Sequence, residues 1–196
     1  MLRHLLAFES RLLLRNGVFW VVLVVFGLLG FGMMVDDEIS FGGGVGNIMR
    51  NAPAVVITVL ATFGLLSVLL STIFVAGIAL RDFEQRSAEL FFATPLSRRD
   101  YLLGRFGGGF LASLAIMLVT ALGLWLGSQM PWLDQARLGP TPWAAYAWAF
   151  AVLVIPNLLF QAALLFTLAT LTRSMLYSYI GVVVFIVLWT MSGYLT

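Results

Sequence analysis

The chain has 196 residues, of which 61% are hydrophobic and only 10% are charged, whereas soluble domains carry about 25% charged residues. Together with a mean hydropathy of +1.02, this composition excludes a soluble globular protein and predicts an integral membrane protein. The formal net charge of +2 is too small to indicate a nucleic-acid partner.

Several kinds of site are excluded because the residues they need are missing. The chain has no Cys, which excludes disulfides, zinc–thiolate sites and thiol nucleophiles. His4 is its single histidine, so an HExxH metal site cannot form and a Ser-His-Asp triad is implausible. No Lys occurs, so ATP cannot bind through a Walker A loop, and the glycine-rich run 42–46 is interpreted as a flexible loop. We therefore predict no metal, cofactor or enzymatic activity in this chain.

Residues 1–16 have the periodicity of an amphipathic helix, with leucines on one side and Arg3, Arg11 and Arg15 on the other. This pattern predicts an N-terminal helix in the membrane interface, with its basic face toward water. Glu9 lies on the apolar side. Either it snorkels or pairs with an arginine, or it is a functional carboxylate.

Five apolar runs follow, each near the ~20 residues that a helix needs to cross a bilayer. We predict an all-α, polytopic, single transmembrane domain over 1–196. Its predicted spans are 17–35, 54–80, 102–130, 143–172 and 174–196.

Small residues recur at helical spacing in the third run. Gly104, Gly108 and Ala112 form one stripe, and Gly123 and Gly127 form a second. Such stripes predict that neighbouring helices approach closely at these positions.

The fourth run contains Pro156, Asn157 and Gln161. Pro156 is expected to kink the helix and free a carbonyl group. Asn157 and Gln161 either satisfy polar groups of neighbouring helices or line a translocation surface.

The segment 81–101 is the longest charged stretch between apolar runs, and the charges continue to Arg105. Each charge would cost roughly 2.5–3.5 kcal/mol at the centre of a membrane helix, so we expect them in water or against a protein. Thr94-Pro95 should end a short amphipathic helix over 87–93, and Ser97 should cap the next helix. Leu90, Phe91 and Phe92 either lie on the membrane interface or dock a cytosolic partner.

The distribution of arginine predicts the orientation. Nine arginines fall on the side of the N-terminus and the 81–101 loop, and Arg50 and Arg137 fall on the other. The N-terminus and this loop are therefore predicted to be cytoplasmic, and 131–142 to lie outside.

The order of the segments and several short sequence motifs of the chain resemble those of the permeases of type-2 ABC exporters. The resemblance is carried mainly by Arg81-Asp82-Phe83-Glu84, Ser87-Ala88-Glu89-Leu90 and the run from Ala93 to Arg105. The opening Met1 to Glu9, Gly46-Asn47, Asn51-Ala52-Pro53 and Pro156-Asn157 are similar to the permease part of bacterial permease/zinc-aminopeptidase fusions. The peptidase motif is absent from this sequence.

The resemblance implies a permease in the bacterial inner membrane, with an ABC ATPase and a second permease half as partners, in a homodimer or a pseudo-dimer. ATP and Mg would then be bound by the ATPase. Residues implied in ATPase coupling are Glu9, Arg11, Glu84, Arg86, Glu89, Leu90, Phe91 and Phe92. Permease halves of the family have six spans, so a sixth is missing from the five predicted here.

Two other classes of function stay open. A secondary transporter or channel would need ionisable residues inside its spans to couple ions. An intramembrane enzyme would need an acid–base group there, where the sequence offers mainly Asn157 and Gln161.

Overall fold

A computed structural model describes residues 2–35, 49–84 and 97–194, which form helices joined by turns, with no strand among them. The prediction of an all-α fold is confirmed for this part of the chain. The helices are α1 (Leu2–Leu14), α2 (Gly17–Val35), α3 (Pro53–Leu70), α4 (Gly77–Glu84), α5 (Arg98–Ser128), α6 (Trp143–Ala149), α7 (Ile155–Thr172) and α8 (Met175–Tyr194).

Four continuous helical segments are long and apolar enough to cross a membrane, which indicates a membrane protein. We call them the first to fourth spans: Gly17–Val35, Pro53–Arg81, Arg98–Ser128 and Trp143–Thr172. Helix α8 contains a shorter apolar stretch, Met175–Met191. That α8 is a fifth span and that α1 lies in the membrane interface both stay predictions.

The second and fourth spans each contain a wider, π-helical turn, at Ser71–Ala76 and at Phe150–Val154. The second of these ends two residues before Pro156, where the sequence predicts a kink. Proline lacks an N–H, and its ring clashes with the carbonyl four residues earlier, so a wider turn there relieves the clash. The Ser71–Ala76 turn has no proline near it.

The chain divides into two compact units, and each draws on separate parts of the sequence. Unit A comprises Met1–Arg15, Ser67–Ser113 and Leu158–Thr196. Unit B comprises Asn16–Leu66 and Leu114–Asn157.

Helix α8 packs against the second and fourth spans in the core of unit A. One buried cluster consists of Ala76, Ala79, Leu80 and Ala169, with Phe166 and Met175 against it. A second consists of Val68, Leu165 and Val182, with Leu168 and Phe185 against it. Close packing of these apolar side chains holds the C-terminal helix in the unit.

In unit B, α2 and α5 approach each other through glycines. A Cβ atom built on Gly123 would collide with the carbonyl oxygen of Gly27, and one built on Gly30 would collide with that of Thr120. A Cβ atom on Gly127 would lie 2.8 Å from Cβ of Met34. The predicted close approach at Gly123 and Gly127 is therefore confirmed, with α2 as the neighbour.

Two turns of unit B are joined by side-chain hydrogen bonds to main chain. Nδ2 of Asn51 donates to the carbonyl of Gly139 at 2.6 Å, and the Gly139 N–H donates to Oδ1 of Asn51 at 2.8 Å. Arg50 donates to the last carbonyls of α2, those of Met34 and Val35, at 3.3 and 3.2 Å. The two Arg50 bonds satisfy carbonyls that the end of a helix leaves without an amide partner.

Candidate functional site

The candidate site is built on the first turns of α5, and Ser97 starts that helix. The Asp100 N–H donates to Oγ of Ser97 at 3.0 Å, and the Tyr101 N–H donates to the Ser97 carbonyl. The predicted cap is therefore confirmed. Four residues apart on the helix, Tyr101 and Arg105 lie on the same side.

Helix α1 lies against the glycine-rich side of α5. A Cβ atom on Gly104 would collide with the Leu5 side chain, and one on Gly108 would lie 2.7 Å from Cβ of Glu9. Both Leu5 and Glu9 are buried. Since these residues are spaced by four on both helices, successive turns of α1 fit over successive glycines of α5. The Gly104–Gly108 stripe is thus also confirmed as a surface of close approach.

Glu9 is completely buried and binds two arginines from distant parts of the chain. Nη2 of Arg81 donates to its two carboxylate oxygens at 2.9 and 3.1 Å. Nη1 of Arg105 donates to Oε1 of Glu9. The Arg105 guanidinium also lies 5.4 Å from the ring centre of Tyr101, within range of a cation–π contact. We call Glu9, Arg81 and Arg105 the ionic cluster.

The cluster bears on the first of the two interpretations of Glu9 that the sequence left open. Pairing with arginine is confirmed, because both guanidinium groups contact the carboxylate. A functional role for the same carboxylate stays a prediction.

The prediction that Arg105 lies in water or against another protein is wrong for its position within this chain. Its side chain is 1% exposed. Burying a charge this deeply is costly unless the charge is paired and hydrogen-bonded. Glu9 and the Tyr101 ring supply that pairing, and both are hard to identify as partners from sequence alone.

Of the other residues implied in ATPase coupling, only Arg11 and Glu84 lie among the described residues. Arg11 is exposed on α1, and Glu84 is the last residue of α4. The predicted helix 87–93 lies outside the described residues, as do Arg86, Glu89, Leu90, Phe91 and Phe92.

Both polar residues of the fourth span bind the second span. Oγ of Ser67 donates to Oε1 of Gln161 at 2.7 Å in unit A. Nδ2 of Asn157 donates to the Gly64 carbonyl at 2.9 Å in unit B. These bonds favour a packing role for both side chains, and the translocation surface stays a prediction.

Sequence alone does not reveal the contacts of Ser67 and Tyr101 or the pairing of Glu9 with Arg81 and Arg105. Residues Glu9 and Arg105 are separated by 96 positions along the chain, so no local spacing connects them. One signal for this contact was present in the sequence: an acidic residue lies on the apolar side of one predicted helix, and a glycine stripe lies on another.

In the part of the chain that the structure describes, no group of three or more His, Asp or Glu side chains could hold a metal ion. Comparison of the chain with protein-family models, with curated proteins and with solved structures found no match.

Proposed function

We propose that this chain is the transmembrane permease subunit of an ATP-driven exporter, with ATP bound and hydrolysed by a separate ABC ATPase. A second permease half completes the transport pathway. The proposed location is the bacterial inner membrane, with α8 as a fifth span and both the N-terminus and the 81–101 loop in the cytoplasm. The arginine distribution supports this orientation.

The observation that carries the proposal is the ionic cluster. Arg81 ends the second span and Arg105 lies near the start of the third, so the two residues flank the 81–101 loop. Both bind Glu9 of α1. One carboxylate therefore connects the N-terminal helix to both ends of the loop that resembles the coupling loop of type-2 ABC permeases.

This connection suggests how force would pass into the helices. Closure of the ATPase subunits would push the 81–101 loop, and α1 would follow because Glu9 holds both ends of that loop. The spans attached to Arg81 and Arg105 would then rotate as rigid bodies between inward-facing and outward-facing states. Glu89, Leu90, Phe91 and Phe92 are the proposed contacts with the ATPase.

Co-purification and ATP hydrolysis test the proposal. We expect the tagged chain, solubilised from its native membrane, to carry an ATPase whose activity rises in the reconstituted complex. Glu89→Ala and Phe91→Ala should lower that stimulated activity. Asp134→Ala removes the same charge from the predicted outer side, where Asp134 is exposed, and should leave the activity unchanged.

Cysteine labelling tests the orientation independently, because the chain has no Cys of its own. In intact cells, a membrane-impermeant maleimide should label Asp134→Cys and should not label Glu89→Cys. Labelling of Glu89→Cys from outside, or a complex without ATP-hydrolysing activity, would contradict the proposal.

A further inference from the structure

Two buried serine hydroxyl groups of unit A differ from its other buried hydroxyl groups in their hydrogen bonding. Ser71 and Ser178 are both 0% exposed, and neither Oγ atom has a hydrogen-bond partner among the described residues. Other buried hydroxyls of this unit are bonded: Ser67 to Gln161, Thr72 to the Val68 carbonyl and Ser113 to the Gly109 carbonyl. Since buried polar groups are rarely left without a partner, these two require an explanation.

The contacts on either side of Ser71 and Ser178 join the same two helices. Helix α8 packs against the Ser71–Ala76 turn. Toward one end, Met175 packs against the buried cluster that contains Ala76 and Leu80. Toward the other end, Val182 belongs to the same buried cluster as Val68.

The spacing on each helix puts the serines between these contacts. Ser178 lies three residues after Met175 and four before Val182, on the same side of α8. Ser71 lies three residues after Val68 and five before Ala76. This spacing puts each serine on the side of its helix that faces the other helix.

Neither serine makes the usual local bond. A helical serine commonly donates to the carbonyl four residues earlier, as Ser113 does to Gly109. Ser71 begins the π-helical turn, and its neighbour Thr72 makes the bond to the Val68 carbonyl. For Ser178 the residue four positions earlier is Ser174, whose carbonyl accepts from Oγ1 of Thr172 at 3.4 Å.

We propose that Ser71 and Ser178 hold a buried water molecule that bridges the second span to α8. Each hydroxyl can donate one hydrogen bond and accept others, so a single water can satisfy both. Buried waters in proteins typically bind such groups.

Replacing each serine by alanine tests this proposal through the sign of the stability change. Removal of an unsatisfied hydroxyl from an apolar interior is neutral or stabilising, whereas removal of one partner of a bridging water leaves the other hydroxyl unsatisfied. In detergent micelles we expect Ser71→Ala and Ser178→Ala each to lower the thermal midpoint of the full chain by about 2–6 °C. The double variant should lose clearly less than the sum, because the second substitution removes the hydroxyl that the first left unsatisfied.

Ser113→Ala is the matched control, since its buried hydroxyl bonds within its own helix; it should not couple to either variant. A density map of the wild-type protein should show a water within hydrogen-bonding reach of both Oγ atoms. Single variants with unchanged or raised midpoints, or losses that add, would overturn the proposal. So would a map in which the two hydroxyls bond directly, or a midpoint that falls when choline replaces Na⁺, which would identify a bound cation instead.

Discussion

Unit A places a carboxylate and two guanidinium groups where α1 meets α5, whereas unit B joins α2 to α5 through glycines whose main chains nearly touch. The same helix, α5, supplies glycines to both contacts. In unit A, Gly104 and Gly108 face the side chains of Leu5 and Glu9. In unit B, Gly123 faces the carbonyl of Gly27.

Two helix contacts with similar glycine stripes can therefore respond differently to movement. A side chain over a glycine can change its rotamer when a helix shifts, and an ion pair can exchange partners. Main chains in direct contact cannot adjust in this way, because they have no rotatable groups between them. We infer that the contact in unit A is the one that can adjust to a small shift of α1.

The largest expected effect comes from removing the carboxylate at the centre of the ionic cluster. Glu9→Ala leaves Arg105 buried without its acidic partner, so we expect the free energy of unfolding to fall by about 3–5 kcal/mol. Thermal or denaturant unfolding of the purified chain in detergent measures this loss.

Arg11→Ala is the control for Glu9→Ala, since Arg11 is exposed on the same helix and its loss should change stability by no more than about 0.5 kcal/mol. Equal effects of the two variants would show that the pairing of Glu9 contributes nothing beyond the stability of α1 itself.

A second prediction tests the main-chain contact of unit B. Gly30→Ala places a Cβ atom against the Thr120 carbonyl, and we expect a loss of about 1–3 kcal/mol from the resulting strain. Gly32→Ala is a matched control on the same helix, because a Cβ atom there meets nothing within 4 Å. It should leave stability unchanged or raise it by up to about 1 kcal/mol through helix propensity. A Gly30→Ala variant as stable as Gly32→Ala would contradict the close approach of α2 and α5.

The sequence predicted those features of the fold that depend on local pattern. The uncharged run 17–35 has the same bounds as α2, and the four long apolar helices follow from the length of their apolar runs. The glycine stripes of α5 indicated close approach because only small residues permit it. Local spacing could not identify which helix makes each contact.

Long-range pairing and helix irregularity could not be predicted. Arg81 lies 72 positions from Glu9, and its charge alone indicated a place in water. Pro156 gave a reason for the Phe150–Val154 turn, but Ser71–Ala76 contains no residue that requires a π-helical turn. The proposed ATPase contacts rest on resemblance, since 86–92 lies outside the described residues.

A third prediction concerns the turns of unit B. Asn51→Ala removes both bonds to the main chain of Gly139, and we expect a loss of about 1–2 kcal/mol. Gln129→Ala removes an amide from an exposed position in the same unit and should cost no more than about 0.5 kcal/mol. If the two variants lose stability equally, the bonds between Asn51 and Gly139 do not hold these turns together.

The smallest expected effect lies in unit A, at the hydrogen bond between Ser67 and Gln161. Polar contacts between membrane helices contribute about 0.6 kcal/mol on average, because each group finds other partners when the helices separate. A double-mutant cycle with Ser67→Ala and Gln161→Ala should therefore give a coupling energy near ~0.6 kcal/mol, well below the loss expected for Glu9→Ala. Ser113→Ala with Gln161→Ala is the control cycle, since Ser113 bonds within its own helix and the two changes should add. A coupling energy of several kcal/mol at Ser67 would mean that the hydroxyl–amide bond stabilises unit A as strongly as its buried charges do. The ionic cluster would then not be the strongest polar contact in that unit.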